Sequence, residues 1–215
     1  KLVLPGPQLD ATSLFELIQS EEVTMSLGVP TVWSNLLLHM SENDQAFTHF
    51  KKAVVGGSAC PPKMMDSFNH LGVRVIHAWG MTELSPLGTF ATLTGADLKK
   101  PIAEQNRILQ KQGRALFGIE MKIIDEDGLE LVHDGVAFGN LMVKGSCVIN
   151  NYFGIEESPL IDGWFPTGDV ATIDAAGNMQ ITDRTKDVIK SGGEWISSIA
   201  IENIASAHPD LLARS

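Results

Sequence analysis

Two glycine-punctuated segments hold residue types suited to chemistry on a nucleotide. The first reads His77-Ala78-Trp79-Gly80-Met81-Thr82-Glu83-Leu84-Ser85-Pro86. The second reads Gly163-Trp164-Phe165-Pro166-Thr167-Gly168-Asp169 and resumes at Asp183-Arg184-Thr185-Lys186-Asp187-Val188-Ile189-Lys190-Ser191-Gly192-Gly193-Glu194. A ring at Trp79 can stack on a purine, and Gly80 lets the backbone approach a ligand closely. The Thr82 hydroxyl can contact an α-phosphate. Glu83 can hold Mg²⁺, which usually takes one or two carboxylates plus substrate phosphates. Asp169 can accept both hydroxyls of a ribose, and Arg184, one hairpin further on, can reach the same sugar. Taken singly, these residues also fit a strand-ending turn with a capping Thr, a surface Glu, a turn aspartate and a surface arginine. The two strings together carry the inference, because a short motif is only as specific as its context.

The elements that must position these residues change character along the chain. Asp10 to Ser20 has Leu14, Leu17 and Ile18 on one face behind an Asp10 or Thr12 cap, which predicts a helix. Val23–Val29 reads as a buried strand, Pro30 as a helix start and Thr31–Met40 as the helix. Ser41–Phe50 reads as a second short helix. Lys52–Val55 is a strand ending at Gly56-Gly57-Ser58, and Pro61-Pro62 opens a helix over Lys63–Leu71 before the strand Val73–His77. Strands alternating with helices predict a parallel α/β sheet, whose ligands sit at the carboxyl ends of its strands. The 56–58 turn and Trp79-Gly80 both fall there, and free N–H groups at a strand-to-helix turn suit the polar groups of a nucleotide. An ordinary structural turn is the other reading. After Gly113 short strands dominate: Met121–Ile124, Gly139–Gly145, and Val170–Asp174 with Asn178–Thr182 about an Ala175-Ala176-Gly177 hairpin turn. From Lys186 on, the pattern is turn, loop and a helix over Ile199–Ala207.

Composition narrows the classes. The chain has 215 residues, 44% hydrophobic and 20% charged, which is a globular rather than a disordered profile. A formal charge of −10 argues against a nucleic-acid groove, which needs clustered Lys and Arg. No apolar run approaches the roughly 20 residues of a membrane span, and the first residues are not a signal peptide. Cys60 and Cys147 have no metal spacing, and the six histidines do not pair at ligand spacing. A reducing cytoplasm is the expected location. Lys1 leads straight into apolar residues without a start methionine, and the chain stops at Ser215 after a helix-like run, so it reads as a piece of a longer protein.

The quoted strings resemble the AMP-forming adenylate superfamily of acyl- and aryl-CoA ligases, luciferases and peptide-synthetase adenylation domains. The match is to an aromatic-Gly-x-Thr-Glu segment, with Trp79 where Tyr is commoner, and to Trp-Phe-x-Thr-Gly-Asp. Gly28-Val29-Pro30-Thr31-Val32-Trp33, the long first string and Gly192-Gly193-Glu194-Trp195-Ile196-Ser197-Ser198 are most similar to medium- and long-chain fatty acyl-CoA ligases. Ligases for short thioether acids look similar too. The resemblance implies an α/β plus β fold. Its parts would be a mostly parallel αβ sheet over 1–112, a small distorted β-barrel over 113–185, and a hinge with the start of a small α+β C-terminal domain over 186–215.

The resemblance also implies roles. ATP or AMP would be held by Gly57, Ser58, His77, Ala78, Trp79, Gly80, Met81, Thr82, Asp169, Ile181 and Arg184. Glu83 would hold Mg²⁺, and Thr82, Glu83, the hinge Lys186 and Lys190 would serve catalysis. Gly192, Gly193 and Trp195 would serve coenzyme A, while Trp33, Gly57 and Gly80 would meet the carboxylic acid. A homodimer of the full-length protein is compatible with the family. Two family parts are missing from these residues: the Gly-rich Ser/Thr loop with its lysine, and the C-terminal lysine segment. Without them the phosphates lack their main electrostatic stabilisation, so the piece is expected to be inactive alone. Asn140 stands where an acid is common, and Ala200 replaces an acidic residue. Loading a carrier protein, or a non-catalytic interaction role, are the alternatives.

Overall fold

The computed structural model describes residues 1–191, 194–198 and 201, with side chains given outside 190–196. The chain divides into two compact units, Lys1–Gly80 with Phe90–Gln110, and Met81–Thr89 with Lys111 onward.

In the first unit, α1 (Ala11–Ser20) starts where the Asp10 carboxylate accepts the Ser13 N–H at 2.9 Å, a side-chain N-cap. Pro30 and Pro62 open α2 (Pro30–Glu42) and α3 (Pro62–His70), positions where the missing N–H costs nothing. The strands β1 (Met25–Gly28), β2 (Lys52–Val55) and β3 (Arg74–Gly80) pair in parallel, with Gly28 opposite Val55 and Val55 opposite His77. Ala53–Val55 and Val75–Trp79 are continuously buried, as parallel strands covered on both faces must be. The core packs Trp33, Leu36, Met40, Phe50, Met64, Phe68 and Val75, with the Trp33 and Phe68 rings edge-to-face at 5.5 Å. α4 (Ile102–Gln110) completes the unit.

The expected helix over Ser41–Phe50 does not form. Phe47 and Phe50 have helical spacing, but Asn43 ends α2 by donating its backbone and side-chain N–H groups to the His39 carbonyl, and Asp44 takes φ +49°. The two rings then meet at 4.8 Å across irregular chain, and Phe50 reaches Trp33 at 5.9 Å. Burial of the rings, rather than helix periodicity, sets this stretch.

In the second unit, β4 (Leu87–Phe90, its last residue in the first unit) neighbours β5 (Arg114–Ala115). β6 (Ile119–Ile124), β7 (Phe138–Gly145), β8 (Phe165–Ile173) and β9 (Met179–Arg184) form one antiparallel sheet in that order. β10 (Ile189–Ser191) and β11 (Glu194–Ile196) make a separate antiparallel pair. The expected β-barrel is overturned: β6 and β9 are the two edges of an open sheet. Closure needs the edge strands to meet with a consistent tilt and stagger, and here both edges are covered locally instead. Leu131 N–H donates to Ile123 O beside β6, while Met179 N–H donates to Gly113 O and Ile181 N–H to Gln112 Oε1 beside β9. The hairpin turn is held by Asp174, whose Oδ1 accepts the N–H groups of Ala176 and Asn178 at 2.9 Å each. Of the expected helix over 199–207, only Ile201 lies among the described residues, where the backbone is helical, as it is at Ser198.

Candidate adenylate site

In the first unit, several of the expected residues lie at the carboxyl ends of the parallel strands. After β2 the chain turns through Gly57 at φ +85°, where an added Cβ would come within 3.1 Å of Val29 Cγ1. Only glycine meets both demands without strain. Gly57 and Ser58 are exposed, and so is Gly80 at the end of β3. His77 lies beneath this surface at 2% exposure, with Nδ1 3.0 Å from the Gln110 carbonyl. Burial pushes its pKa below the ordinary value, and hydrogen bonds to the Gln110 and Ser58 carbonyls partly offset this. His77 therefore braces the 56–58 turn from inside. Ala78 and Trp79 are each 7% exposed, so most of the Trp79 ring is interior. Trp33 is a core residue at 2% exposure, its indole N–H shared between the Gly28 and Val54 carbonyls at 3.1 Å each.

The border between the units falls between Gly80 and Met81, inside the aromatic-Gly-x-Thr-Glu segment. In the second unit Thr82–Leu84 forms a 3₁₀ turn pinned by the buried Leu84. Thr82 is exposed and Glu83 half-buried. The Glu83 carbonyl accepts the Ile149 N–H at 2.9 Å, and Ser85 Oγ donates to the Cys147 carbonyl at 3.1 Å. The Tyr152 hydroxyl donates to Glu83 Oε1 at 2.9 Å, and this bond with the nearby negative charge raises the phenol's pKa. The phenol thus stays a donor throughout the neutral range.

Asp169 and Arg184 face each other across β8 and β9, with Arg184 Nε 2.9 Å from Asp169 Oδ1. Phe165, Thr167 and Asp169 are buried on one face of β8, and Gly168 between them takes φ +74°. That conformation favours glycine, and the register shift at Val170/Ala171 lies just beyond it. Thr167 Oγ1 accepts the Asp169 N–H at 3.1 Å and donates to Leu141 O at 3.0 Å, which locks the turn of the strand. Ile181 is half-buried one strand away, held through its N–H by Gln112 Oε1 at 2.7 Å.

Within β9 the carboxylate of Asp183, 2% exposed, accepts the Ser198 N–H at 2.6 Å and the Ser198 hydroxyl at 2.9 Å. Lys186 is exposed, and Asn140 Oδ1 accepts the Thr185 hydroxyl at 3.1 Å. Asn140 thus keeps a hydrogen-bonding job where an acid was expected. Gly192, Gly193 and Ala200 lie outside the described residues, as do the side chains of Lys190 and Trp195.

Among the described residues no three His, Cys, Asp or Glu side chains gather as a metal cluster. A cation at Glu83 would take one protein carboxylate and its remaining ligands from phosphate oxygens and water, the habit of Mg²⁺. Glu83, half-buried with one oxygen engaged by Tyr152, fits that demand. Burial pushes the Cys60 thiol up to about 12, which disfavours its thiolate. Tyr152, Gln112 and Asp183 are the site's supports that sequence reading missed. Tyr152 and Gln112 act 69 residues from their partners, Glu83 and Ile181, where no local pattern could announce them.

The AMP-binding enzyme family matches residues 1–153, and the chain belongs to that family. It is 50% identical to the 3-methylmercaptopropionyl-CoA ligase of Ruegeria lacuscaerulensis over 213 residues, 98% of this chain and 40% of that protein. It is 51% identical to a medium-chain-fatty-acid–CoA ligase of Ectopseudomonas oleovorans over 99% of this chain and 39% of that protein. Among solved structures, the o-succinylbenzoate coenzyme A synthetase of Bacillus subtilis in complex with ATP and magnesium ion superposes with a TM-score of 0.74. That likeness comes at 29% identity and covers 93% of this chain and 40% of the synthetase. The chain thus spans about two-fifths of the length of the relatives it matches. No helix among the described residues is long and apolar enough to cross a membrane.

Proposed function

We propose that the protein carrying this chain joins a medium- or long-chain carboxylic acid to coenzyme A through an acyl-adenylate. In the first half-reaction a carboxylate oxygen of the acid bonds to the α-phosphorus of ATP, and the bond to pyrophosphate breaks. In the second the coenzyme A thiol bonds to the acyl carbon, AMP leaves with the electron pair, and the thiol proton passes to solvent. The observation that carries this reading is the Asp169–Arg184 pair on adjacent strands of the unit that also holds Thr82 and Glu83.

Asp169 accepts the ribose hydroxyls and Arg184 orients the same sugar, while Thr82 donates to the α-phosphate. Gly57, Ser58, His77, Ala78, Trp79, Gly80, Met81 and Ile181 surround or support the nucleoside. Glu83 would hold the Mg²⁺ that neutralises charge on the phosphates. Trp33, Gly57 and Gly80 are assigned to the acyl group, Lys186 to the hinge, and Lys190, Gly192, Gly193 and Trp195 to the thioester half-reaction. Both CoA-ligase relatives at about half identity support the CoA acceptor; the Ectopseudomonas oleovorans ligase supports a medium-chain acid, whereas the Ruegeria lacuscaerulensis ligase is named for 3-methylmercaptopropionate.

The test is calorimetric titration of the full-length protein with a non-hydrolysable dodecanoyl-adenylate analogue, alongside acid-dependent AMP release with and without coenzyme A. Binding that is lost in Asp169→Ala, together with AMP release that tracks thioester formation, is the expected result. AMP release without a CoA ester, whatever acid is offered, rejects the reading.

A further inference from the structure

The turn that bears Glu83 is fastened to one loop at three points. Ser85 Oγ donates to Cys147 O, Ile149 N–H donates to Glu83 O, and Tyr152 Oη donates to Glu83 Oε1, at 3.1, 2.9 and 2.9 Å. All five residues belong to the second unit. Two of these bonds fix backbone, as any loop packed on a turn would. The third ends on the carboxylate itself, from the only tyrosine in the chain.

Glutamate has three rotatable bonds between backbone and carboxylate, and on an exposed turn it samples many orientations. The Ile149 bond fixes the root of the Glu83 side chain, and the phenol fixes its tip. A side chain held at both ends presents a single orientation. With Oε1 engaged by the phenol, Oε2 is the oxygen that can ligate a cation. Outer partners of this kind orient ligating carboxylates and tune metal affinity. Tyr152 is 40% exposed and Glu83 is half-buried, so the bond sits at the surface, where nucleotide phosphates and a hydrated cation can reach the carboxylate.

We infer that Tyr152 is a positioning residue for the cation carboxylate Glu83, an inference that rests on the adenylate reading of the Thr82–Glu83 turn. The hydroxyl acts through the carboxylate it donates to. It sets the carboxylate before substrate arrives, so that the cation meets a ligand already in place. Phe at this position would keep the ring's packing and remove only the donor.

The experiment reads how strongly Mg²⁺ and nucleotide help one another to bind. Affinity for the β,γ-methylene analogue of ATP is measured calorimetrically on the full-length protein with and without Mg²⁺, and the ratio of the two Kd values is the coupling factor. Tyr152→Phe is expected to lower that factor about tenfold while leaving the metal-free affinity unchanged. The half-saturating Mg²⁺ in adenylate formation should rise by the same factor, with kcat at saturating Mg²⁺ and KM for the acid held. Added to Glu83→Gln, it should change nothing further. An unchanged coupling factor in Tyr152→Phe, with a reduced one in Glu83→Gln, overturns the role of Tyr152 and leaves the adenylate reading standing. An unchanged factor in Glu83→Gln removes Glu83 as the cation's carboxylate, and the inference with it. A uniform loss of stability and of every kinetic constant in Tyr152→Phe marks a merely structural residue and also rejects it.

Discussion

Arg184 and Asp169 form an unequal ion pair: the carboxylate side chain is 3% exposed and the guanidinium 57%, with 2.9 Å between Nε and Oδ1. A buried carboxylate needs its partner more than an exposed arginine does, because desolvation falls almost wholly on the acid. The pair spans facing positions of β8 and β9, so it also ties the middle of β8, just after Gly168, to the end of β9.

Removing the arginine should therefore destabilise the protein more than removing the acid. Arg184→Ala leaves a buried charge, which costs roughly 3–5 kcal/mol when both partners are inside. With Arg184 half in solvent, about 1–3 kcal/mol is expected. Asp169→Asn keeps hydrogen-bonding capacity without the charge and should cost less, while still weakening nucleotide binding. Urea denaturation of both variants checks the order, and a costlier Asp169→Asn would contradict it.

The hairpin behind this pair was legible in the sequence, because the strand-like runs Val170–Asp174 and Asn178–Thr182 flank Ala175-Ala176-Gly177, with Asp169 and Arg184 just outside them; their direct register is a finding of the structure. The parallel strands were legible from local signals too: Lys52–Val55 runs straight into Gly56-Gly57, and Pro30 and Pro62 mark helix starts. α4 escaped notice because its apolar face is thin, with Leu109 buried but Ile102 70% exposed. The barrel expectation failed on a question that strand patterns cannot answer, namely whether edge strands meet or are covered by passing loops. Tyr152 was silent for the reason that most long-range contacts are: its partner is set by how the loop after β7 folds back, not by spacing.

Asp183 supports a second prediction. Its buried carboxylate accepts the backbone and hydroxyl of Ser198 and also the Arg184 N–H at 2.7 Å, so it fastens chain beyond the proposed hinge Lys186 to β9. Hydrogen bonds to charged groups are worth about 1.5–3 kcal/mol each in a buried setting, less where one partner is half-exposed as Ser198 is. Asp183→Ala should cost about 2 kcal/mol and speed amide exchange at Ser198 selectively. Ser198→Ala, which removes only the hydroxyl bond, should cost about 1 kcal/mol. Equal exchange at Ser198 in wild type and Asp183→Ala would show that the contact does not hold the segment.

His77 makes the third prediction, on pH. Burial dominates its environment and holds the folded-state pKa below the ordinary 6.5, although the Gln110 and Ser58 carbonyls pull the other way. A histidine depressed on folding binds fewer protons in the native state than in the unfolded chain. Stability contributed by neutral His77 is therefore intact above about pH 6.5 and declines as pH falls below it, until the folded-state pKa is passed. One such group can add a slope of at most about 1.4 kcal/mol per pH unit. His77→Gln retains an amide donor for a carbonyl but cannot titrate, so its stability should be lower at pH 7.5 and flatter between pH 6.5 and 5. Thermal unfolding of both proteins across that range measures the difference. A slope unchanged by the substitution would assign the acid sensitivity to other groups and show that His77 is not protonated on unfolding.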